Sequence, residues 1–137
     1  MDTEGLTGAE LLGLETGLVV QELGWDDDVD ADLRDDIMDI IDAEMVDEPL
    51  EAVDVVVLWW REEDGDVADG LVDAMTDLTG KGYIWLLTPK VGRSGFIEPS
   101  SVGEGVTIAG LSLTKTANVA PDWQATKVVR PKNTTRR

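Results

Sequence analysis

Two short runs constrain the fold more than anything else in the chain. "AVDVVVLWW" (residues 52–60) and "YIWLLTP" (residues 83–89) are dense in β-branched and aromatic residues and show little alternation of apolar with polar. A strand with one wet face alternates with a period of two. Strands without that alternation are buried on both faces, as the central strands of parallel sheets are. Between the two runs, from about Asp66, the residues Val67, Leu71, Met75 and Leu78 recur at helical spacing, with Asp69, Asp73 and Asp77 on the other side. Gly80 and Gly82 are expected to stop this helix. Strand, packed helix and strand make the repeating unit of an α/β sheet.

The rest of the chain extends the pattern. "GAELLGL" gives a short helix, Gly17 punctuates it, and "LVVQEL" reads as a short strand. From Val29, apolar residues recur at Leu33, Ile37, Ile40 and Ile41, one face of a second helix whose other face carries Asp30, Asp32, Asp35, Asp39 and Asp42. After Pro89, "KVGRSGFIEPSSVGEG" gives at most one short helix, starting near Ser100 or Ser101. "LSLTKTANV" and "WQATKVVR", joined by "APD", form an antiparallel hairpin. The expected fold is three-layer α/β with a mostly parallel sheet and a C-terminal antiparallel hairpin. It forms one domain over residues 1–132, followed by a disordered basic tail over residues 133–137.

Composition removes whole classes of chemistry. The chain has no Cys and no His, so it lacks thiol catalysis, disulfides, the commonest metal ligands and the commonest general base. The net charge of −18 is unevenly placed. Residues 1–80 hold 26 acids against Arg34 and Arg61, whereas residues 81–137 hold 3 acids and 9 bases, giving −24 and +6. The acidic part repels nucleic acid and suits a basic protein partner. The N-terminal residues lack the basic start of a signal peptide, and no apolar run approaches the roughly 18 residues of a membrane span. A cytoplasmic protein without membrane association is expected, its acidic face docking a protein partner.

The densest acidic stretch, "QELGWDDDVDADLRDD" (residues 21–36), packs eight carboxylates into sixteen residues. A calcium loop of the helix-loop-helix type needs oxygen ligands at positions 1, 3 and 5, Gly at 6 and Glu at 12. Counted from Asp26, position 6 is Ala31 and position 12 is Ile37; counted from Asp28, they are Leu33 and Asp39. Neither register fits, and no metal is expected. Helix initiation accounts for the first acids, with Asp28 expected as the N-cap and Asp27 as the alternative. An Asp30–Arg34 pair offsets little of the repulsion among the others.

The order of elements resembles a shortened Rossmann-like methyltransferase, whose last two strands form such a hairpin. More specifically, "QELGWDDDVDADLRDDI", "VDVVVLWWREEDGD", "LVDAMTDL", "IWLLTPKVGR" and "DWQATKVV" are similar to a family of small actinobacterial proteins known as a domain of unknown function, over about residues 11–132. The resemblance implies a fold and supplies no catalytic residue. Methyltransferases of this fold keep a glycine-rich loop after the first strand. Here that loop reads "ELGWDDD", and the usual second strand is missing or reduced to "EMVDEP", so no cofactor is expected.

Any site of such a sheet lies at the carboxyl ends of its strands. The residues arriving there are Gly24, Trp25 and Asp26 from the first strand, Trp59, Trp60 and Arg61 from the second, and Thr88, Pro89, Lys90 and Arg93 from the third. Gly24, Trp25, Asp26, Trp60, Arg61, Lys90 and Arg93 are therefore the binding candidates, and none is assigned a catalytic role. Trp59 and Trp60 point to opposite sheet faces, so one of them packs under a helix, and Arg61 and Lys90 can pair with Asp26–28. The expectation is a non-catalytic binding or regulatory protein. The alternative is a binder of, or enzyme for, a small molecule resembling S-adenosylmethionine or a nucleotide.

Overall fold

The computed structural model describes residues 8–131; the tail expected at residues 133–137 lies outside them. The elements run α1 (Gly8–Leu11), β1 (Val20–Leu23), α2 (Ala31–Ile41), β2 (Val53–Trp59), a 3-10 turn (Glu62–Asp64), α3 (Val67–Ala74), β3 (Leu78–Pro89), α4 (Pro99–Ile108), β4 (Ser112–Asn118) and β5 (Trp123–Val129). The sheet order is β1-β2-β3-β5-β4. The first three strands are parallel, and β5 is antiparallel to both β3 and β4. This is the α/β class that the two unalternating runs imply. "EMVDEP" survives as one parallel bridge: Val46 N donates to Val20 O, and Glu22 N donates to Val46 O.

Successive residues of β2 feed two cores. Val55, Val57 and Trp59 face α1 and α2, where Leu12, Leu33, Ile37 and Ile41 pack with Trp85 and Leu87. Val56 and Leu58 face α3 and α4, where Leu71, Ala74, Val102 and Val106 pack with Ile84 and Leu86. Burial on both faces explains why these strands carry no polar alternation.

Local chemistry moves several expected boundaries. Asp30, not Asp28 or Asp27, caps α2: its Oδ1 accepts from Leu33 N at 2.8 Å while its backbone stays extended. Asp28 is held elsewhere, by Arg61. Arg34 does not pair with Asp30, because the buried Glu22 takes it. The α3 helix ends at Ala74, before Gly80 and Gly82, and those glycines lie inside β3. Val53 N bonds Asp77 O at 2.8 Å and Val53 pairs with Leu78, drawing the chain into the sheet early. Gly82 permits this, since a Cβ there would sit 2.5 Å from Leu78 Cδ1 and 2.8 Å from Asp54 O. The α4 helix starts at Pro99, with Glu98 at the N-cap in place of the expected Ser100 or Ser101, and proline in the first turn, where its missing N–H costs nothing.

Candidate functional site at the strand ends

The corner where β1 and β2 finish side by side is closed by the chain itself. Gly24 turns with φ of 78°, and a Cβ on it would lie 2.2 Å from Trp59 O. The glycine is therefore needed for the close approach of two backbone segments.

Arg61, two residues beyond the end of β2 and only 5% exposed, fills the remaining space. Its Nη1 donates to Gly24 O at 2.7 Å, and its Nε donates to Asp28 Oδ2 at 3.0 Å. Nη2 meets the other Asp28 oxygen, and Asp64 accepts from the Arg61 backbone N–H at 2.8 Å. The guanidinium carbon stands 5.2 Å from the ring centre of Trp123, whose indole N–H donates to Asp28 O at 3.2 Å. Trp123 meets Trp59 edge-on, with centroids 4.9 Å apart at 82°. The Trp59 N–H donates at 2.9 Å to Glu22 Oε2, and Arg34 grips the same carboxylate at 2.7 and 2.8 Å. Three ion pairs, Arg34–Glu22, Arg61–Asp28 and Arg61–Asp64, and two indoles thus form one continuous network behind the strand ends.

The charges support one another. Burial disfavours the Arg61 cation, but its hydrogen bonds and charge pairing with Asp28 and Asp64 outweigh this and raise its pKa. The hydrogen bond from Arg61 in turn holds the Asp28 carboxyl below its usual range, despite partial desolvation. The hydrogen bond to Glu22 likewise raises the pKa of Arg34.

Beside this network lies an open cleft of about 290 Å³. Trp123 and Pro89 line it together with Asp28 and Glu63, and Arg93 and Asp122 add an exposed ion pair at 2.8 Å. A second, more open groove of about 560 Å³ follows the outer side of α2, lined by Asp35, Met38, Asp39, Asp42, Ala43 and Glu44. Among the described residues, no three acids are grouped as metal ligands would be.

The structure scatters the candidates named from sequence. Gly24 and Arg61 meet in the closed corner, and Arg93 lines the cleft. Trp25 stands 57% exposed on the turn. Asp26 is exposed beside it, accepting from Asp27 N at 2.7 Å. Trp60 turns to the opposite face, donates to Gly65 O at 3.0 Å and packs against Gly70 of α3. Of the two expected cation pairings with Asp26–28, only that of Arg61 forms among the described residues. Lys90 is fixed through its backbone N–H, which donates to Asp122 O at 2.9 Å.

Trp123, Glu22 and Arg34 were not anticipated. Trp123 opens a strand antiparallel to β3, which brings it to the same edge. Arg34 had a signal: with Arg61 it is one of only two bases among the first 80 residues, and both anchor the network.

This sheet, with a crevice at the ends of its parallel strands, defines a Rossmann-like domain of the methyltransferase type. The solved structures it resembles agree. They include magnesium protoporphyrin IX methyltransferase from Synechocystis with bound SAM (TM-score 0.56, 10% identity, 90% of this chain and 74% of that one). Another is a SAM dependent methyltransferase from Aquifex aeolicus (TM-score 0.53, 12% identity, 88% of each chain). At such identities the likeness shows the fold alone. The chain belongs to the DUF3052 family, described as a protein of unknown function, whose profile matches residues 9–132. The uncharacterized protein Rv2239c of Mycobacterium tuberculosis is 41% identical over 126 residues, covering 91% of this chain and 79% of that protein. Mb2263c of Mycobacterium bovis matches to the same extent.

The residues at the Gly24 turn do not fit the cofactor of those methyltransferases. Arg61 takes the carbonyl and the space beside the turn, and Asp26, Asp27 and Asp28 follow Trp25 directly. Among the described residues, no helix is long and apolar enough to cross a membrane.

Proposed function

We propose that this protein is a non-catalytic binding protein of the cytoplasm with a regulatory role, and that its acidic face docks a basic segment of a protein partner. The observation that carries this reading is Arg61, which occupies from within the corner a cofactor would need, while the open groove along α2 is lined mostly by acids. On α2, Asp32, Asp35, Asp36 and Asp39 are exposed. Only Asp32 lies in the first turn, and like charges three or four apart cost a few tenths of a kcal/mol per pair in an isolated helix. The groove beside them adds Met38, an adaptable apolar contact of the kind used at binding surfaces.

The test is fluorescence anisotropy of a labelled Lys/Arg-rich peptide with the full chain. Binding is expected to weaken with salt and to be lost in Asp35→Asn/Asp39→Asn. A thermal shift with S-adenosylmethionine or a nucleotide, together with an inert peptide, overturns the reading in favour of a small-molecule protein. The observation favouring that second reading is the cleft beside Trp123, where Glu63 and Arg93 offer both signs of charge to a small polar ligand. Substitution of Glu63 or Arg93, which line it, then weakens ligand binding without unfolding the chain.

A further inference from the structure

The far edge of the sheet is unlike the rest of the molecule. Among the described residues the β4 strand is outermost, bonded along one side only, to β5, and most of its residues are exposed. Lys115 and Lys127 are register partners there, in line with Trp85 on β3. The Lys127 ammonium lies 4.2 Å from the Tyr83 ring centre, and that of Lys115 lies 5.9 Å from Trp85. Among the described residues neither forms a salt bridge, although the chain carries 29 acids. Like charges directly opposite each other on a sheet are destabilising. Burial and the neighbouring Lys115 lower the pKa of Lys127. Across the strand, Leu113 pairs with the buried Val128 yet stays 44% exposed.

An open strand edge is a template for another strand. What can add is decided by charge. A second copy pairing through β4 would bring more ammonium groups to the same row, which is how edge lysines block self-pairing. An acidic strand does the opposite. A carboxylate opposite Lys115 continues the row into Lys127, and the next residue points to the other face, toward the side of Leu113. We infer that β4 is a strand-addition site for an extended segment of a protein partner in which acidic and aliphatic residues alternate. The register slips between Leu113 and Lys115, leaving residues 115–118 as the regular ladder where pairing starts. This surface shares no residue with the acidic groove, so it stands or falls separately from the basic-partner reading.

The probe is a Val/Glu-alternating peptide of the length of β4, titrated into the nitrogen-15-labelled full chain. The expected result is shifted resonances and slowed amide exchange confined to β4 and β5. Lys115→Glu/Lys127→Glu is expected to weaken binding about tenfold or more, and a Val/Lys-alternating peptide to show no binding. Lys115→Gln/Lys127→Gln, which removes charge without reversing it, gives an intermediate loss and guards against misfolding of the reversal. The inference is overturned by silence at millimolar peptide, by shifts that map to the α2 groove or the Trp123 cleft, or by equal binding of the two peptides.

Discussion

The guanidinium of Arg61 donates to the carbonyl oxygen of Gly24 across 2.7 Å, tying the end of β2 to the turn after β1. The same side chain satisfies Asp28 and lies against Trp123, so one cation closes a corner built by three strands. Arg61→Met keeps much of the packing and strands these acceptors. Breaking such a buried pair costs about 3–5 kcal/mol; the low end applies here, because the Asp28 side chain is 49% exposed and can recover water. Urea denaturation followed by tryptophan fluorescence should show this loss. Arg61→Lys should recover only part of it, since a point ammonium cannot span the same fork of acceptors. An unchanged midpoint for Arg61→Met contradicts the assigned role.

Gly24→Ala tests whether the glycine serves the fold or a ligand. Its left-handed backbone and the 2.2 Å approach to Trp59 O leave no room for a methyl group. Strain of this kind costs about 1–3 kcal/mol before any clash is added. The melting temperature should fall clearly, while the affinity for a Lys/Arg-rich peptide stays the same for the folded fraction.

Much of the architecture was legible because burial leaves a mark on sequence. The unalternating runs became β2 and β3, and the 3,4-spacing from Val29 became α2 with Leu33, Ile37 and Ile41 inside. What was not legible depended on partners distant in sequence. Asp28 looks like a helix cap until Arg61, 33 residues away, claims it. Gly80 and Gly82 look like helix stops until the pairing of Val53 with Leu78 draws them into a strand. That Trp59 and Trp60 point to opposite faces was legible from the pleat, but that Trp59 is the one to meet Trp123, 64 residues on, was not. Ile37 shows the legible kind of residue. It is fully buried, and Ile37→Asp should abolish cooperative folding by placing an unpaired charge in the core.

Acid should loosen the strand-end corner before the two cores give way. Asp28 has its pKa lowered in the folded protein, chiefly by the hydrogen bond from Arg61. The folded state therefore binds this proton less readily than the unfolded chain. The stabilisation is fully present above the unfolded Asp pKa, near 3.9, and is lost as pH falls through the lower folded value. A pH series of urea midpoints should steepen below about pH 4, and Asp28→Asn should flatten that part of the curve while lowering stability at neutral pH. An acid limb identical in the two proteins removes Asp28 as its cause.

Glu22 is the second anchor and the sharper test of the network. Its side chain is 5% exposed and accepts from Arg34 twice and from the Trp59 indole once. Glu22→Gln keeps the shape but replaces one acceptor oxygen with an NH₂ that faces a donor. Loss of hydrogen bonds to a charged group costs about 1.5–3 kcal/mol, a size that chemical denaturation resolves. The indole N–H resonance of Trp59 should also move, since its acceptor changes charge. A double-mutant cycle with Arg34→Gln should return a coupling of about 1 kcal/mol or more. If instead the two substitutions add and the Trp59 resonance stays in place, Glu22 is not what joins α2 to the indoles behind the strand ends.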